Sequence, residues 1–347
     1  MLHRLESFSH PPNPRRRIAQ TLQKAMYWTG GAAAYVRGKG VNGAIILLYH
    51  SVPDASISGW IDPANAMPPE HFEAQMCFLS RRRRVISMNE LVDSIAARAR
   101  LEPGTVVITF DDGYRDNLEV AAPILDRYRL PATLYLATRA MDEGRLWIDE
   151  LYAMFCRRSR HELTVGNERV DLSDNSARAR AYHSLADTLS RCDLSGRRNL
   201  LVKIEEQLHP TASPPRLILN WNEVRDLRQR YPRIELGLHT SDHLDLVANE
   251  STAREQIEQS MIDVERELNL RPRHFSFPYG RFSAVSRDVV RSLGFQSAVV
   301  AGANCLIDGD SDPLALARIL APQSMSLLGF WTSGAYPGLS RALFGHA

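Results

Sequence analysis

The feature that most constrains the fold is a regular alternation of short apolar segments with longer segments of helical spacing. The segment TVVITF at 105–110 is almost wholly apolar, which is typical of a strand that is buried on both faces. Segments of similar character occupy 44–49, 132–137, 233–238, 274–278, 297–301 and 317–320. An alternating order of strands and helices favours parallel strands joined by helical crossovers. The sequence therefore predicts an α/β fold, a distorted (β/α) barrel of about seven parallel strands.

The alternation is interrupted over residues 143–215, which are rich in charge and mostly of helical pattern. We interpret this region as a helical insertion between two barrel strands. It could shape a substrate cleft or simply cap one face of the barrel. The predicted organisation is a basic N-terminal arm and helix at 1–40, the barrel domain at 41–330 and a C-terminal tail at 331–347.

Charge excludes some partners and suggests others. The chain of 347 residues has a formal net charge of only +2, so no global field marks a nucleic-acid binder. Residues 1–40, however, hold seven Lys and Arg residues against a single Glu. Such an arm could contact an anionic membrane surface peripherally, or it could be a solvated segment beside the main domain.

The cysteines and the hydropathy of the chain indicate the cellular compartment in which the protein works. The four cysteines form no CxxC pair, and scattered thiols in a chain of this length are typical of a reducing environment. No segment approaches the ~20 apolar residues that a membrane-spanning helix requires. We therefore expect a cytoplasmic protein, with peripheral membrane contact as the alternative.

Polar side chains follow several of the predicted strands, at the point where each strand ends. In a β/α barrel the active site lies at the face where the carboxyl ends of the strands converge. The residues in such positions are His50, Asp111, Asp112, His239, Pro278 and Tyr279. Their coincidence predicts a catalytic site at that face.

The pair Asp111 and Asp112, followed by Gly113, points to a bound cation. Two adjacent carboxylates at a buried strand end repel each other unless a cation or a proton lies between them. The alternative is a helix N-cap, but one Asp suffices for a cap. The glycine allows the chain to turn sharply after the pair.

The spacing of His239 and His243 indicates a metal site. Two imidazoles separated by three residues can reach one ion, whereas the alternative is two unrelated surface histidines. Two histidines with one carboxylate leave coordination positions open for water and substrate, which is a catalytic arrangement. A bound divalent ion would lower the pKa of water to about 7, and the second Asp would accept the proton of that water.

Three motifs resemble those of the polysaccharide deacetylase family, which is also called the NodB-homology domain or carbohydrate esterase family four. They are TFDDGY at 109–114, HTSDH at 239–243 and SFPYG at 276–280, and the resemblance covers roughly residues 41–325. It implies that Asp111 is the general base and that Asp112, His239 and His243 bind one divalent ion, zinc or another first-row metal. The backbone N–H of Tyr279 would then help to bind the oxyanion.

The third motif departs from the family pattern, because Ser276 occupies the position that the family usually fills with Arg. That Arg steadies the base in the family. Arg281, just after the motif, and Arg318, at the last strand, are the two candidates to replace it.

The family's late Leu-x-His motif, which supplies the general acid, is not evident either. Tyr49-His50 resembles instead the early motif of a subgroup that includes exopolysaccharide deacetylases, which makes His50 the proposed acid, with a hydrogen-bonding role as the alternative. Asp149 in LWID resembles a feature of deacetylases encoded beside exopolysaccharide clusters. It would line the cleft or begin a helix.

The resemblance implies a metal-dependent hydrolase that removes N-acetyl groups from amino sugars of a polysaccharide or of its lipid-linked precursor. One alternative within the same chemistry is a deformylase or deacetylase of a small or lipid-linked sugar. Another is a catalytically weak carbohydrate-binding barrel.

Overall fold

The computed structural model describes residues 14–39, 41–302 and 306–335. Within that part of the chain the strands, in chain order, are Ala44–Tyr49 (β1), Arg84–Val85 (β2), Thr105–Phe110 (β3), Ala132–Leu136 (β4), Glu162–Val165 (β5), Glu168–Asp171 (β6), Ile234–Leu238 (β7), His274–Ser276 (β8), Ser297–Ala301 (β9), Leu306–Ile307 (β10) and Leu316–Leu320 (β11).

Seven of these strands form a closed, all-parallel barrel in the order β1, β3, β4, β7, β8, β9, β11. Closure is made by β1, which pairs in parallel with both β3 and β11. The register sets Tyr49 beside Phe110 and Ile46 beside Arg318. The predicted distorted (β/α) barrel of about seven parallel strands is confirmed, and its strand order follows the chain because each crossover leads to the neighbouring strand.

Helices surround the barrel and connect its strands. In the described ranges the α-helices are Pro14–Trp28 (α1), Gly31–Lys39 (α2), Pro69–Arg82 (α3), Met88–Ala96 (α4), Ala122–Arg127 (α5), Thr138–Glu143 (α6), Trp147–Arg157 (α7), Asn175–Arg191 (α8), Leu194–Leu208 (α9), Trp221–Arg230 (α10), Ala253–Leu268 (α11), Ala284–Ser292 (α12) and Met325–Trp331 (α13). A search of the described helices finds none with the length and apolar character needed to cross a membrane.

The region between β4 and β7 contains five helices, α6 to α10, and the antiparallel hairpin of β5 and β6. It has a hydrophobic core of its own, in which Phe155, Tyr182 and Ile204 are buried. Arg197 of α9 ties this core to the barrel, since its guanidinium donates to the backbone oxygens of Asp242 and His243. The helical insertion thus contacts the loop that follows β7.

The two ends of the described chain lie together. Trp331 at the end of α13 is buried, and its Nε1 donates to Gln23 of α1 at 3.1 Å. The predicted arm at 1–40 and tail at 331–347 lie partly outside the described residues. We keep the division into 1–40, 41–330 and 331–347 as a proposal.

The barrel strands leave very little room at Gly237 in β7. A Cβ atom there would lie 2.4 Å from the ring of Tyr135 and 2.9 Å from the backbone oxygen of His274. Tyr135 itself is fully buried. Close packing of this kind forces neighbours to shift when even one methyl group is added.

Gly237→Ala is therefore expected to destabilise the barrel by about 1–3 kcal/mol, the usual cost of overpacking a close-packed interior. Urea denaturation followed by circular dichroism measures this. Gly38→Ala is the matched control, because a Cβ at Gly38 meets nothing within 4 Å on an exposed part of α2. The control should be neutral or slightly stabilising. Equal stability of the two variants would contradict this account of the barrel interior.

Candidate active site

The side chains singled out in the sequence meet at the carboxyl ends of the barrel strands. His50 follows β1, Asp111 and Asp112 follow β3, and His239 follows β7. His243 lies in the loop after β7, and the turn Pro278–Gly280 follows β8. Parallel strands in a closed barrel bring these ends to one face, so residues far apart in sequence become neighbours.

Asp112, His239 and His243 form a buried cluster whose candidate ligand atoms all lie within 4.8 Å of one another. Oδ1 of Asp112 is 3.5 Å from Nε2 of His239 and 3.4 Å from Nε2 of His243. That carboxylate oxygen is buried and has no hydrogen-bond partner among the described residues. A buried, unsatisfied carboxylate oxygen is costly, and a cation between these three atoms would remove the cost.

Hydrogen bonds fix both imidazoles in the tautomer that suits a metal. Nδ1 of His239 lies 2.8 Å from the backbone oxygen of Ser276, to which it must donate. The hydroxyl of Tyr279 donates to the backbone oxygen of His243 at 3.0 Å, so it can accept from Nδ1 of the same histidine at 3.2 Å. Each ring therefore presents an unprotonated Nε2 toward Asp112, as metal-binding histidines do.

Burial sets the ionisation of this cluster. It raises the pKa of Asp112 well above its usual value, and the charge of Asp111 raises that pKa further. Burial also lowers the pKa of both His239 and His243. The two neutral imidazoles supply no positive charge that would stabilise the ionised form of this carboxylate. A divalent ion held by two nitrogens and one oxygen would supply that charge, so the residues present fit such an ion.

The backbone around the cluster adopts left-handed conformations at residues other than glycine. The φ angles are 76° at Asp112, 64° at Thr240, 50° at His243 and 59° at Tyr279. Such conformations cost about 1–3 kcal/mol each and gather at functional sites. The turn after β3 aims the two Asp side chains differently, with the N–H of Gly113 donating to the backbone oxygen of Asp111 at 2.9 Å.

Asp111 makes a bidentate ion pair with Arg318, which lies on β11 across the barrel interior. Nη1 donates to Oδ1 at 2.7 Å and Nη2 donates to Oδ2 at 2.6 Å. The hydroxyl of Ser276 donates to Oδ2 at 3.1 Å and accepts from Nη2 of Arg318 at 2.8 Å. Ser276 at the third-motif position thus accompanies an arginine that is supplied by another strand.

Arg281, the other candidate for this role, lies elsewhere. Its guanidinium donates to Asp245 at 2.7 Å and reaches Asp187 of the helical insertion at 3.5 Å. These contacts hold the turn after β8 against the loop after β7 and against α8. Of the two arginines that the sequence offered, Arg318 is the one that contacts Asp111.

The ion pair keeps Asp111 in its charged form. Burial alone would raise the pKa of this carboxyl. The positive charge of Arg318, helped by His239 and by the hydrogen bonds, outweighs burial and holds the pKa below its usual range. Asp111 and Asp112 are neighbours in sequence, yet their surroundings move their pKa values in opposite directions, which is how a site gives two carboxylates different roles.

His50 stands at the edge of the same site. Its Nδ1 is buried without a hydrogen-bond partner in the described part of the chain. Burial is the main cause that lowers its pKa, to about 4, against the opposing charge of Asp111. The side chain is therefore a neutral imidazole.

Two residues that were not anticipated from the sequence hold the segment from His50 to Val52. Asn117 donates from Nδ2 to the backbone oxygen of His50 at 2.8 Å. Asp116 accepts from the N–H of Val52 at 3.0 Å and from the hydroxyl of Ser51. Both residues follow closely on the first motif, and this closeness is the signal in the sequence that could have identified them.

Asp149 is buried at the first turn of α7. It accepts from the hydroxyl of Tyr114 at 2.9 Å and from the N–H of Leu146 at 3.0 Å. The second of these bonds caps the helix, so Asp149 ties the start of the helical insertion to the segment after β3. Trp147, two residues before it, donates from Nε1 to the hydroxyl of Tyr279 at 3.1 Å.

Arg197 was not anticipated from the sequence. It is buried, its side chain lies over the ring of Trp147 at 5.1 Å, and it donates to the backbone oxygen of His243 at 3.3 Å. It also donates from Nε to the backbone oxygen of Leu189 at 3.2 Å. The helical insertion therefore holds the loop that carries one of the three candidate ligands.

Comparison with known proteins agrees with this geometry. A sequence model of the polysaccharide deacetylase family matches residues 98–298. The putative polysaccharide deacetylase YxkH of Bacillus subtilis is 24% identical over 127 residues, which cover 36% of this chain and 42% of that protein. The chain thus aligns with less than half the length of that curated relative.

Solved structures show the same fold. The deacetylase PplD of Streptococcus pyogenes, in complex with acetate, is 16% identical with a TM-score of 0.55, covering 84% of this chain and 97% of that one. IcaB from Ammonifex degensii is 18% identical with a TM-score of 0.56, covering 85% of this chain and 97% of that one. The family match spans more than half of the chain. The chain therefore belongs to the polysaccharide deacetylase family, whose members are hydrolases of carbon–nitrogen bonds other than peptide bonds.

Proposed function

We propose that the protein hydrolyses the N-acetyl group of an amino sugar within a glycan, releasing acetate and a free amine. The observation that carries this proposal is the separation of two adjacent carboxylates. Asp111 is ionised by Arg318, whereas Asp112 faces His239 and His243. Amide hydrolysis at a metal centre needs both a base and a Lewis acid. This arrangement also favours an active enzyme over a weak carbohydrate-binding barrel.

Asp112, His239 and His243 would hold the metal ion, which we propose to be zinc or another first-row metal. Two imidazole nitrogens and one carboxylate oxygen are a common ligand set for a catalytic ion of that kind. When bound, the ion would polarise the amide carbonyl and make water more acidic. Trp147 and Arg197 would keep the loop of His243 in place.

We assign the proton transfers to Asp111 and His50. Asp111, ionised at the outset, accepts a proton from the attacking water. The departing nitrogen must gain one proton, and His50, whose imidazole begins neutral, would relay to it the proton that Asp111 took from water. Asp111 would thereby return to its charged form. The backbone N–H of Tyr279, in the turn that begins at Pro278, would donate to the oxyanion. The balance is one amide and one water converted to one amine and one acetic acid.

The cellular compartment is a separate proposal. Cys77, Cys156 and Cys192 are free thiols in the structure, and Cys305 lies outside the described residues. Scattered free thiols suit a reducing compartment, so we propose that the protein works in the cytoplasm.

Asp111→Asn is expected to lower acetate release from N-acetylated glycans by about 10²-fold or more, because it removes a general base. Elemental analysis should still find the divalent ion in this variant, since Asp111 is not a proposed ligand. His239→Ala should lose both the ion and the activity. Asp93→Asn, an exposed change on α4, is the control. Full activity of Asp111→Asn, or an unchanged ion content in His239→Ala, would contradict the assignment.

His50→Ala is expected to slow turnover by about 10²–10⁴-fold if the imidazole transfers the proton. His50→Gln separates this role from a purely hydrogen-bonding one, because glutamine can donate a hydrogen bond but cannot carry the proton. We expect the two variants to be equally slow, and the exposed His71→Ala to match the natural protein. A largely active His50→Gln would instead support hydrogen bonding alone.

Arg318→Met is expected to destabilise the fold by about 3–5 kcal/mol, since it leaves the buried charge of Asp111 without its partner. In the double variant Arg318→Met, Asp111→Asn the buried group is neutral, so much of that loss should be recovered. Urea denaturation of the four proteins gives the coupling free energy directly. Additive effects of the two changes would show that the pair is not coupled.

A further inference from the structure

The two histidines of the candidate metal site are held by different parts of the molecule. His239 donates from Nδ1 to the backbone oxygen of Ser276, so its ring is fixed by strand β8 of the barrel. His243 is held instead by side chains. Its Nδ1 meets the hydroxyl of Tyr279, and its backbone oxygen accepts from that hydroxyl and from Arg197 of the helical insertion. The orientation of one proposed ligand thus depends on residues outside the barrel strands.

The hydroxyl of Tyr279 has one proton to donate and two lone pairs that can accept. Nε1 of Trp147, which can only donate, occupies one lone pair at 3.1 Å. The proton of the hydroxyl goes to the backbone oxygen of His243 at 3.0 Å. Nδ1 of His243, at 3.2 Å, must therefore carry a proton and donate it to the hydroxyl. Nε2 of the same ring is left unprotonated and faces Oδ1 of Asp112 at 3.4 Å.

The partner of this hydroxyl belongs to the helical insertion. Trp147 begins α7 and is part of the hydrophobic core of the insertion, and the ring of Tyr279 packs against that same core. Because Trp147 is buried, its N–H has little access to water as an alternative partner, and loss of the bond to Tyr279 would cost free energy. The insertion thus fixes the hydroxyl that orients the ring of His243.

Arg197 of α9 holds the backbone of the same loop. Its guanidinium donates to the backbone oxygens of Asp242 at 3.2 Å and of His243 at 3.3 Å. Its Nε donates to the backbone oxygen of Leu189 at 3.2 Å, and the guanidinium lies over the ring of Trp147 at 5.1 Å. Both the side chain and the backbone of His243 are therefore held by the insertion, through two residues that contact each other.

The loop needs such support because its backbone is strained. The φ angles of Thr240 and His243 are 64° and 50°, and that of Tyr279 is 59°. Residues other than glycine keep these conformations only where the surrounding structure over-determines them. We expect the loop to relax when contacts from the insertion are removed, and Nε2 of His243 would then leave its position opposite Asp112.

We propose that the helical insertion sets how tightly the protein holds its divalent ion, by positioning His243. Hydrogen bonds run from Trp147 to the hydroxyl of Tyr279 and from there to the ring, while Arg197 holds the backbone. The barrel alone orients the other two proposed ligands. Trp147 and Arg197 are thus positioning residues. The inference rests on the proposed metal site, and its tests measure ion binding and the ring tautomer, not turnover.

The first test compares the same substitution at two tryptophans. Trp147→Phe removes the N–H that donates to Tyr279 and keeps an aromatic ring beside Arg197. Trp331→Phe is the matched control, because both tryptophans are 9% exposed and Nε1 of Trp331 also donates to a side-chain oxygen, that of Gln23, at 3.1 Å.

Zinc affinity is measured by competition with a chromophoric chelator. We expect Trp147→Phe to weaken zinc binding by about tenfold, the lower end of the usual effect of removing support behind a metal-binding histidine. Trp331→Phe should bind zinc like the natural protein. Urea denaturation of the metal-free proteins should show comparable losses of stability in the two variants, since each loses one buried hydrogen bond.

The second test removes the hydroxyl itself. Tyr279→Phe should weaken zinc binding by about 10–100-fold, after which Trp147 has no means of acting on the ring of His243. The double variant Trp147→Phe, Tyr279→Phe should therefore bind zinc no more weakly than Tyr279→Phe alone. Tyr182→Phe, which removes a buried hydroxyl of the insertion that donates to Asp62, is the control and should leave zinc affinity unchanged. Additive losses in the cycle would overturn the proposed path.

The third test observes the tautomer in the metal-free protein. NMR spectra that correlate ring protons with ring nitrogens show which nitrogen of a histidine is protonated. We expect the proton of His243 on Nδ1 in the natural protein and a mixture of tautomers in Tyr279→Phe, because the hydrogen bond of one nitrogen decides where the proton lies. His239 should keep its tautomer in both proteins. An unchanged tautomer of His243 in Tyr279→Phe would overturn the role of the hydroxyl.

The outcomes separate this inference from the proposed function. If His239→Ala loses zinc but Trp147→Phe binds it as tightly as the natural protein, the inference fails and the proposed metal site stands. Equal weakening in Trp147→Phe and Trp331→Phe would reflect a general loss of structure and would also overturn the inference. If the natural protein binds no divalent ion, the proposed metal-dependent function is itself overturned, and the inference fails with it.

Discussion

The arrangement of the site depends on one buried ion pair, between Asp111 and Arg318. The guanidinium joins β11 to the end of β3 and, through the hydroxyl of Ser276, to β8. Arg318 is only 3% exposed. Burying two charges is expensive, and a hydrophobic pair of the same size is often as stable. We therefore attribute the pair to catalysis, since it keeps one carboxylate charged inside the barrel.

The ion pair explains how two neighbouring aspartates come to differ in ionisation. Arg318 satisfies both oxygens of Asp111, which leaves Asp112 as the carboxylate without a cation. The left-handed backbone at Asp112 turns its side chain toward His239 and His243. Their fixed tautomers then complete a set of three donors. Ionisation, backbone conformation and hydrogen bonding thus all support our proposal that Asp111 is the base and that Asp112 binds the metal.

The sequence predicted the barrel and most of the side chains that gather at the carboxyl ends of its strands, because both depend on local patterns. Strand positions follow from short apolar segments, and parallel strands bring their ends together whatever the details of packing. Local patterns could not decide whether Arg281 or Arg318 is the partner of Asp111. Arg318 is 207 residues from Asp111 in the chain, and only barrel closure brings them together. Arg197 was missed for a related reason. Its hydrogen-bond acceptors are backbone oxygens, which every residue type has, so the sequence does not indicate them.

We propose that Asp112 binds a metal ion and that Asp111 accepts the proton of water. The most direct test is a crystal structure of the zinc-loaded protein with anomalous data at the zinc edge. We predict a single strong peak about 2.0–2.2 Å from Oδ1 of Asp112 and from Nε2 of His239 and His243, the usual ligand distances for this ion. Arg318 should still be bound to Asp111. A peak coordinated by Asp111, with Arg318 displaced, would contradict the division of roles between the two aspartates.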